Sequence, residues 1–262
     1  MQPTQKEINA ILSTAKIASK KAGNYLLKNF RQHDPSKYSY KKHREIVTQA
    51  DKKANEIIIK TIKEKFPEHN IVSEEASYPK NKSAFIWYID PLDGTTNYTA
   101  GLPLFSVNIG ITYNDEPIVG VINLPHDKEL YHAVEGKGAW CADRKLRVSK
   151  TSKLKESFLQ LCHAYSAKER LGGAQVVKKI TGKCRVYRRF GCAGIEHTNV
   201  ASGRTDAIII IGSRPWDNMA GALIIREAGG SVTDRKNKEW NAKSKDVIAT
   251  NGKIHKQLLH II

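Results

Sequence analysis

The sequence contains no long apolar run, so a chain that crosses a membrane is excluded. Within its 262 residues the most apolar short stretch is Ala207–Ile211, which is far too brief to span a bilayer. The first residues, Met1 to Glu7, also lack the apolar core of an export signal. We therefore expect a soluble, cytoplasmic protein that has no membrane partner.

Cysteine is scarce, and its four copies are far apart in the chain. Cys141, Cys162, Cys184 and Cys192 form no CxxC pair, and no histidine follows them at the spacing of zinc ligands. A zinc site and a disulfide framework are therefore poor interpretations. We expect four free thiols in a reducing compartment, where they pack as small apolar residues.

Acidic residues are few beside the basic ones. The chain has 26 Asp and Glu against 43 Lys and Arg, which gives a formal net charge of +17. Residues 1–65 hold 15 basic against 6 acidic residues, and residues 168–190 hold 8 against 1. Such a field attracts nucleic acid, anionic surfaces or phosphorylated metabolites. Because no RNA-binding signature accompanies it, a solvated basic face is the preferred interpretation, and nucleic acid remains a minor alternative.

The apolar pattern predicts one globular chain of layered α+β architecture. Hydrophobic residues make up 40% and charged residues 26%, which is a globular balance. Helical spacing predicts helices over residues 5–31 and 49–66, followed by strands over residues 70–73, 84–89, 104–113 and 118–124. From about residue 155, strands and helices alternate. We predict a single domain over residues 1–262 with sub-regions of about 1–150 and 151–262.

One segment combines two carboxylates with a glycine turn at the end of a predicted buried strand: Asp90-Pro91-Leu92-Asp93-Gly94-Thr95-Thr96-Asn97. Gly94 permits a tight turn and a close ligand approach, and Thr95 would open a short helix whose N–H groups face an anion. The two carboxylates would repel a phosphate unless cations stood between them, and Mg²⁺ prefers such oxygen ligands. In the alternative, Asp90 and Asp93 are only turn or cap residues.

Three further acidic residues lie at the ends of predicted elements. Glu74 follows a strand, while Asp51 and Asp217 lie near the starts of helices. In open α/β sheets, ligands bind where the strands end, so these side chains are candidates for one crevice. Asp51 and Asp217 are equally well explained as residues that stabilise helix N-termini.

These residues resemble signatures of the inositol monophosphatase family. Residues 90–97 are similar to its DPxDGTxN signature, and residues 216–230 are similar to its WDxxAGxxxxxEAGG signature. Ser73-Glu74-Glu75 resembles the family's (G/S)EE, and Val47-Thr48 with Asp51 resembles its VTxxD. The matches run in family order over residues 41–230, so the chain is identified as a member.

The resemblance implies an α-β-α-β-α sandwich of the inositol monophosphatase and fructose-1,6-bisphosphatase type. It also implies a Mg²⁺-dependent phosphomonoesterase that binds two or three ions, is inhibited by Li⁺ and forms a homodimer. Glu74, Asp90 and the carbonyl of Leu92 would hold the first ion. Asp90, Asp93 and Asp217 would hold the second, and Asp93 and Asp217 would also contact the substrate.

The same resemblance assigns the attacking water and the phosphate to neighbouring groups. Glu74 and Thr95, the latter hydrogen-bonded to Asp51, would position and deprotonate the water. The backbone N–H groups of Gly94 and Thr95 would bind the phosphate. Thr95 has no acidic proton, so we expect it to orient the water rather than act as a base.

The residues that set specificity depart from the family pattern. Inositol-specific members carry a glutamate seven residues before the position of Asp217, where this chain has Ile210. Cys192 and Glu196 also replace residue types that are common in relatives, Ser or Thr in the first case and a smaller or apolar residue in the second. We predict a phosphatase for a small sugar or polyol phosphate of the inositol 1-phosphate type, with the leaving alcohol unassigned.

Other substrates and one other class of function remain open. Members of the wider family act on fructose 1,6-bisphosphate, histidinol phosphate, 3′-phosphoadenosine nucleotides or NADP, and the basic segment 168–190 would suit a second phosphate. A bacterial relative associates with the transcription machinery. The charge of +17 makes RNA or transcription-machinery binding an alternative here.

Overall fold

A computed structural model describes residues 2–32, 39–40, 46–76 and 78–262. Most of the polar loop predicted over residues 33–44 lies outside the described residues, as does Lys41, a position where many family members carry a lysine. Among the described residues, no helix combines the length and apolar character needed to cross a bilayer.

The chain begins with two helices, α1 (Gln5–Asn29) and α2 (Gln49–Lys63). The Thr4 side chain caps the first, and Thr48 with Asp51 forms a capping box at the second, which satisfies the free N–H groups of the first turn. Alanine and isoleucine recur at helical spacing on their buried faces. These faces pack on the outer side of the larger sheet.

That sheet has seven strands in chain order, of which only the first pair is parallel. Two short strands, β1 (Ser39–Tyr40) and β2 (Ile46–Val47), form a separate ribbon. The seven are β3 (Asn70–Ser73), β4 (Phe85–Asp93), β5 (Ser106–Tyr113), β6 (Glu116–Leu124), β7 (Glu129–Val134), β8 (Ala139–Cys141) and β9 (Arg144–Lys145). The short helix α3 (Thr95–Thr99) follows β4 directly.

The second sheet has five strands in the order β11-β10-β12-β14-β13. Its strands are β10 (Phe158–His163), β11 (Val186–Arg188), β12 (Ala207–Ile211), β13 (Ser231–Thr233) and β14 (Asp246–Thr250). Because β11 and β12 both run parallel to β10, the carboxyl ends of these three strands lie at one edge.

Helices α5 (Ala193–Ala201) and α6 (Pro215–Glu227) lie between the two sheets. Helices α4 (Ala167–Ile180) and α7 (His255–Ile261) cover the outer face of the second sheet. A Cβ on Gly110 of β5 would lie 2.6 Å from the Met219 side chain, so glycine is what lets α6 approach the first sheet closely. The order of layers is α-β-α-β-α, which confirms the predicted fold.

The central core contains side chains from both sub-regions, from Tyr88 of β4 to Ala249 of β14. We infer that the chain is a single domain, because this core would be cut open if the two sub-regions were separated.

The structure differs from the sequence predictions at particular elements. Strand β4 continues to Asp93 instead of ending at Ile89, with a break in register between Asp90 and Asp93. Helix α6 begins at Pro215, whereas the sequence predicts a helix from about Asn218 to Glu227. The short strands β7, β8, β9, β13 and β14 and the helix α7 were not predicted from the sequence.

Candidate active site

A cavity lies between the two sheets and is lined by acidic residues on one side. Glu74, Asp90, Asp93 and Asp217 all face it, together with Gly94 and Thr95. The first three come from the ends of neighbouring strands in the larger sheet, and Asp217 comes from the first turn of α6. The fold thus brings together acidic residues that are far apart in the sequence.

Three of these carboxylates form a compact cluster. One oxygen each of Glu74, Asp90 and Asp217 lies within 4.8 Å of the others. Asp90 is only 2% exposed. Burial raises its pKa well above the ordinary range, and repulsion from Glu74 raises it further. A divalent cation would relieve this repulsion, so the set of donors fits such an ion.

The irregular end of β4 aims the two aspartates of the DPxDGTxN segment. The break in register falls between Asp90 and Asp93 and contains Pro91, which a regular ladder would not accommodate. The Leu92 N–H donates to Oδ1 of Asp90 at 3.1 Å. As a result, two carboxylates near the end of one strand both face the cavity.

The Asp93 carboxylate is held by donors from two layers of the fold. Its Oδ2 accepts hydrogen bonds from the Gly194 N–H (2.6 Å) and from Nδ2 of Asn108 (3.0 Å). The Ser106 hydroxyl donates to it at 3.1 Å, and the Cys192 thiol at 3.3 Å. Because all four donors end on Oδ2, they fix the orientation of the carboxylate at the cavity wall.

Thr95 and the buried Asp51 form a hydrogen-bonded pair beside the acidic cluster. The Thr95 hydroxyl lies 2.8 Å from Oδ1 of Asp51 and 2.9 Å from the carbonyl of Leu92. Oδ2 of Asp51 accepts from both the N–H and the hydroxyl of Thr48. Burial raises the pKa of Asp51, and the hydrogen bonds from Thr48 and Thr95 act against that rise. Asp51 therefore has both predicted roles: it stabilises the start of α2 and it is the partner of Thr95.

Gly94 makes the sharp turn between β4 and α3. Its φ is +87°, in the left-handed region, which glycine adopts without strain. A Cβ at this position would lie 2.6 Å from the carbonyl oxygen of Leu104. The turn opens α3 at Thr95, as the sequence predicts.

Asp217 is not the cap of its helix. The N-cap of α6 is Arg214, and Asp217 is the third residue of the first turn. Its place in the carboxylate cluster favours the functional interpretation over the structural one.

The opposite wall of the cavity comes from the second sheet and carries basic residues. It consists of side chains at or just beyond the carboxyl ends of β10, β11 and β12, with neighbours from the start of α4: Cys162, His163, Tyr165, Ser166, Glu169, Arg189, Ile210 and Arg214. Ile210 is 3% exposed and belongs to the central core. An alkyl group therefore lies where inositol-specific members carry a carboxylate.

Cys192 contacts the acidic wall of the cavity from behind, and Glu196 supports the backbone next to Arg189 on the opposite wall. All four cysteines are free, but Cys192 is more than a small apolar residue, because its thiol contacts Asp93. Oε1 of the buried Glu196 accepts from the N–H groups of Phe190 (2.8 Å) and Gly191 (3.3 Å). Burial raises the pKa of Glu196 to about 8. The predicted departures from the family pattern thus lie beside the cavity.

Sequence reasoning missed the residues that orient Asp93 and the basic residues of the second wall. Ser106, Asn108 and Gly194 lie 13, 15 and 101 positions from Asp93, so no local pattern connects them. From the sequence, Arg189 contributes only to the basic segment 168–190, and Arg214 was not singled out. A lone arginine after a strand is the only signal that either gives.

Comparison with known proteins identifies the family. A model of the inositol monophosphatase family matches residues 7–262. The chain belongs to this family. The resemblance predicted from the sequence is confirmed.

Individual relatives agree with this membership. The Nus factor SuhB of Pasteurella multocida (strain Pm70) is 36% identical over 258 residues, covering 97% of this chain and 96% of the relative. The fructose-1,6-bisphosphatase/inositol-1-monophosphatase of Thermotoga maritima is 35% identical over 219 residues, 84% of this chain and 83% of the relative. A solved structure of inositol monophosphatase from Anabaena (Nostoc) sp. PCC 7120 superposes with a TM-score of 0.86 at 34% identity, covering 97% of this chain and 95% of that one.

Proposed function

We propose that this member of the inositol monophosphatase family is a Mg²⁺-dependent phosphomonoesterase that acts on a small sugar or polyol phosphate. The cluster of Glu74, Asp90 and Asp217 beside the Gly94 turn carries the proposal. The family membership supports a phosphatase in general. The relatives' names include both a fructose-1,6-bisphosphatase/inositol-1-monophosphatase and the Nus factor SuhB, so the substrate is inferred from the cavity and tested by experiment.

The donor groups of the acidic wall suit two ions. Glu74, Asp90 and the Leu92 carbonyl would hold the first, and Asp90, Asp93 and Asp217 the second. A third ion would need further ligands. When bound, Mg²⁺ supplies the positive charge that stabilises the attacking and leaving oxygens. By family resemblance we also expect Li⁺ to inhibit and the protein to form a homodimer.

The pair of Thr95 and Asp51 would orient the attacking water. The Thr95 hydroxyl has one proton, and it can donate that proton to Asp51 while its lone pairs accept from a water molecule. The two hydrogen bonds from Thr48 keep the Asp51 carboxylate in place. Glu74, at the edge of the same cavity, would accept the proton from the water.

The turn at Gly94 would receive the phosphate. Backbone N–H groups of Gly94 and Thr95 can donate to phosphate oxygens, and Gly94 has no side chain to block the approach. Asp93 and Asp217 flank the same part of the cavity and would contact the substrate through the ions that they hold.

The apolar Ile210 argues against myo-inositol as the preferred alcohol. Leaving a ring hydroxyl of the substrate without a hydrogen-bond partner in a closed site costs about 1–3 kcal/mol of binding free energy. Fructose 1,6-bisphosphate, histidinol phosphate, 3′-phosphoadenosine 5′-phosphate and NADP are therefore as worth testing as inositol 1-phosphate.

The experiment is phosphate release from that panel, with and without Mg²⁺. The matched control is Asp93→Asn, which keeps an oxygen for the Gly194 N–H but removes the charge. Mg²⁺-dependent release that is lost in the variant supports the proposal. No release from any substrate by the folded, Mg²⁺-loaded protein would contradict it.

A second candidate function is binding to RNA or to the transcription machinery. Two observations favour it: relatives at 35–36% identity are named Nus factor SuhB, and the net charge is +17. Titration with single-stranded RNA at increasing salt tests the RNA part. Binding through phosphate contacts would weaken with a log–log slope of about 0.7 per contact, and no binding at moderate salt would exclude it.

A further inference from the structure

Arg189 places a guanidinium at the wall of the cavity opposite the carboxylate cluster. It follows the last residue of β11 and lines the same cavity as Glu74 and Asp217. Its charge acts on Cys162 and His163, which lie at the end of the neighbouring strand β10. The cavity thus has a negative side, which would be neutralised by cations, and a positive side on the second sheet.

The Arg189 guanidinium has no fixed partner. Within residues 2–32, 39–40, 46–76 and 78–262, no salt bridge or side-chain hydrogen bond engages it. Arg214, on the same wall, already faces Glu169 at 3.6 Å. The charge of Arg189 lowers the pKa of Glu196 slightly against the effect of burial. Oε1 of Glu196, however, accepts from the backbone N–H groups of Phe190 and Gly191 and not from Arg189.

The two residues that follow Arg189 are fixed by hydrogen bonds to both their N–H groups and their carbonyl oxygens. The N–H groups of Phe190 and Gly191 donate to the buried Glu196. Their carbonyl oxygens accept from Nδ2 of Asn97, at 2.8 and 3.3 Å. Asn97 belongs to the segment that forms the phosphate turn. Arg189 therefore projects from a fixed point, which lowers the entropy lost when it binds a ligand.

We propose that Arg189 determines specificity by binding a second anionic group, a phosphate or a carboxylate, on the leaving alcohol of the substrate. The inference rests on the proposed phosphomonoesterase function. The reacting phosphate occupies the side where cations and the Gly94 turn can hold it, so its leaving alcohol extends toward the second sheet. There an unpaired guanidinium can form two parallel hydrogen bonds to an anion.

Two substrate pairs test the proposal, because each pair differs only in the second anion. Fructose 1,6-bisphosphate is compared with fructose 1-phosphate, and 3-phosphoglycerate with glycerol 1-phosphate. We expect the wild type to prefer the doubly anionic member of one pair. The pair that shows the preference tells a phosphate from a carboxylate. In Arg189→Gln the ratio of kcat/KM within that pair should fall about 10- to 100-fold.

The neighbouring Arg188 supplies the matched control. It is exposed, donates to the carbonyl of Tyr187 and does not line the cavity. Arg188→Gln removes the same charge and should leave the ratio unchanged. Arg189→Lys keeps the charge without the planar fork and should retain part of the preference.

Three results would overturn the inference while the proposed function stands. They are a wild type without preference in either pair, an equal loss for both members in Arg189→Gln, or an equal change of the ratio in Arg188→Gln. Absence of Mg²⁺-dependent release from all four substrates would instead overturn the proposed function, and this inference with it.

Discussion

The two walls of the cavity differ in charge and in origin. The wall from the larger sheet gathers carboxylates, and its DPxDGTxN residues lie within one eight-residue segment. The wall from the second sheet gathers Arg189, Arg214, His163 and Ile210 from the ends of three strands. From this difference we propose a division of labour, in which the first wall supplies the chemistry and the second selects the alcohol.

Removing a carboxylate from the first wall should have the largest effect. In Asp90→Asn we expect phosphate release to fall by more than about 100-fold, because even partners of metal ligands cost 10- to 100-fold. Mg²⁺ should raise the thermal stability of the wild type through binding to the folded state, and it should not do so for the variant. Thermal unfolding with and without Mg²⁺ checks this independently of activity.

Two results would break the assignment of chemistry to the first wall. One is Asp90→Asn that still releases phosphate at the wild-type rate. The other is a variant that Mg²⁺ stabilises as strongly as it stabilises the wild type.

Moving α6 away from the first sheet should separate Asp217 from its partners. In Gly110→Ala the new Cβ would lie 2.6 Å from the Met219 side chain and 2.8 Å from the backbone of Ala220. Such overpacking costs about 1–3 kcal/mol of unfolding free energy. Urea unfolding measures that loss, and a weaker apparent affinity for Mg²⁺ should accompany it. Unchanged stability would show that the two layers are not tightly packed here.

The second wall is tested by restoring the residue type of inositol-specific members. In Ile210→Glu we expect kcat/KM for inositol 1-phosphate to rise about 10-fold relative to fructose 1-phosphate, because a hydrogen bond to a charged group contributes about 1.5–3 kcal/mol and burial of the carboxylate offsets part of it. Ile210→Leu is the control for repacking. An equal change with both substrates would remove Ile210 from the account of specificity.

The residues of the first wall could be predicted from the sequence more fully than those of the second. Asp90, Asp93, Gly94 and Thr95 are close together in the chain, so spacing and turn chemistry indicate their role directly. Arg189 and Ile210 line the same cavity because β11 and β12 flank β10 in parallel, and no local pattern encodes that pairing. The same reason explains the missed short strands, whose formation depends on distant partners.

The predicted layers were confirmed because buried helical faces and strand runs carry strong periodic patterns. The predicted end of β4 was four residues too early, because Pro91 and the polar Asp90 are typical of a loop. The sheet retains them through an irregular register that serves the site.

The smallest expected effect is on the pH dependence of stability, and it comes from two buried histidines that do not line the cavity. Burial lowers the pKa of His69, in the core of the first sheet, and of His197, on α5, to about 4. Each stays neutral in the folded protein while the unfolded chain takes up a proton below about pH 6.5. Each histidine should therefore lower the unfolding free energy as pH decreases from 6.5 to 4, by at most about 1.4 kcal/mol per pH unit. Glu196 acts in the opposite direction, because its raised pKa favours the folded state as pH falls, so the effect is measured as a difference between the wild type and variants.

Urea unfolding across that range measures the effect. The unfolding free energy of His69→Gln and of His197→Gln, each relative to the wild type, should rise as pH decreases. If both variants keep the wild-type slope, these histidines do not carry the effect.

The division of labour is tested most directly by comparing Ser106→Ala with Arg189→Gln on fructose 1,6-bisphosphate and fructose 1-phosphate. Ser106 touches Asp93 at 3.1 Å, so its loss should lower kcat/KM for both substrates by the same factor, about 10-fold. Arg189→Gln should lower the ratio between them. A change of ratio in Ser106→Ala, or an equal loss for both substrates in Arg189→Gln, would contradict the assignment of chemistry to one wall and selection to the other.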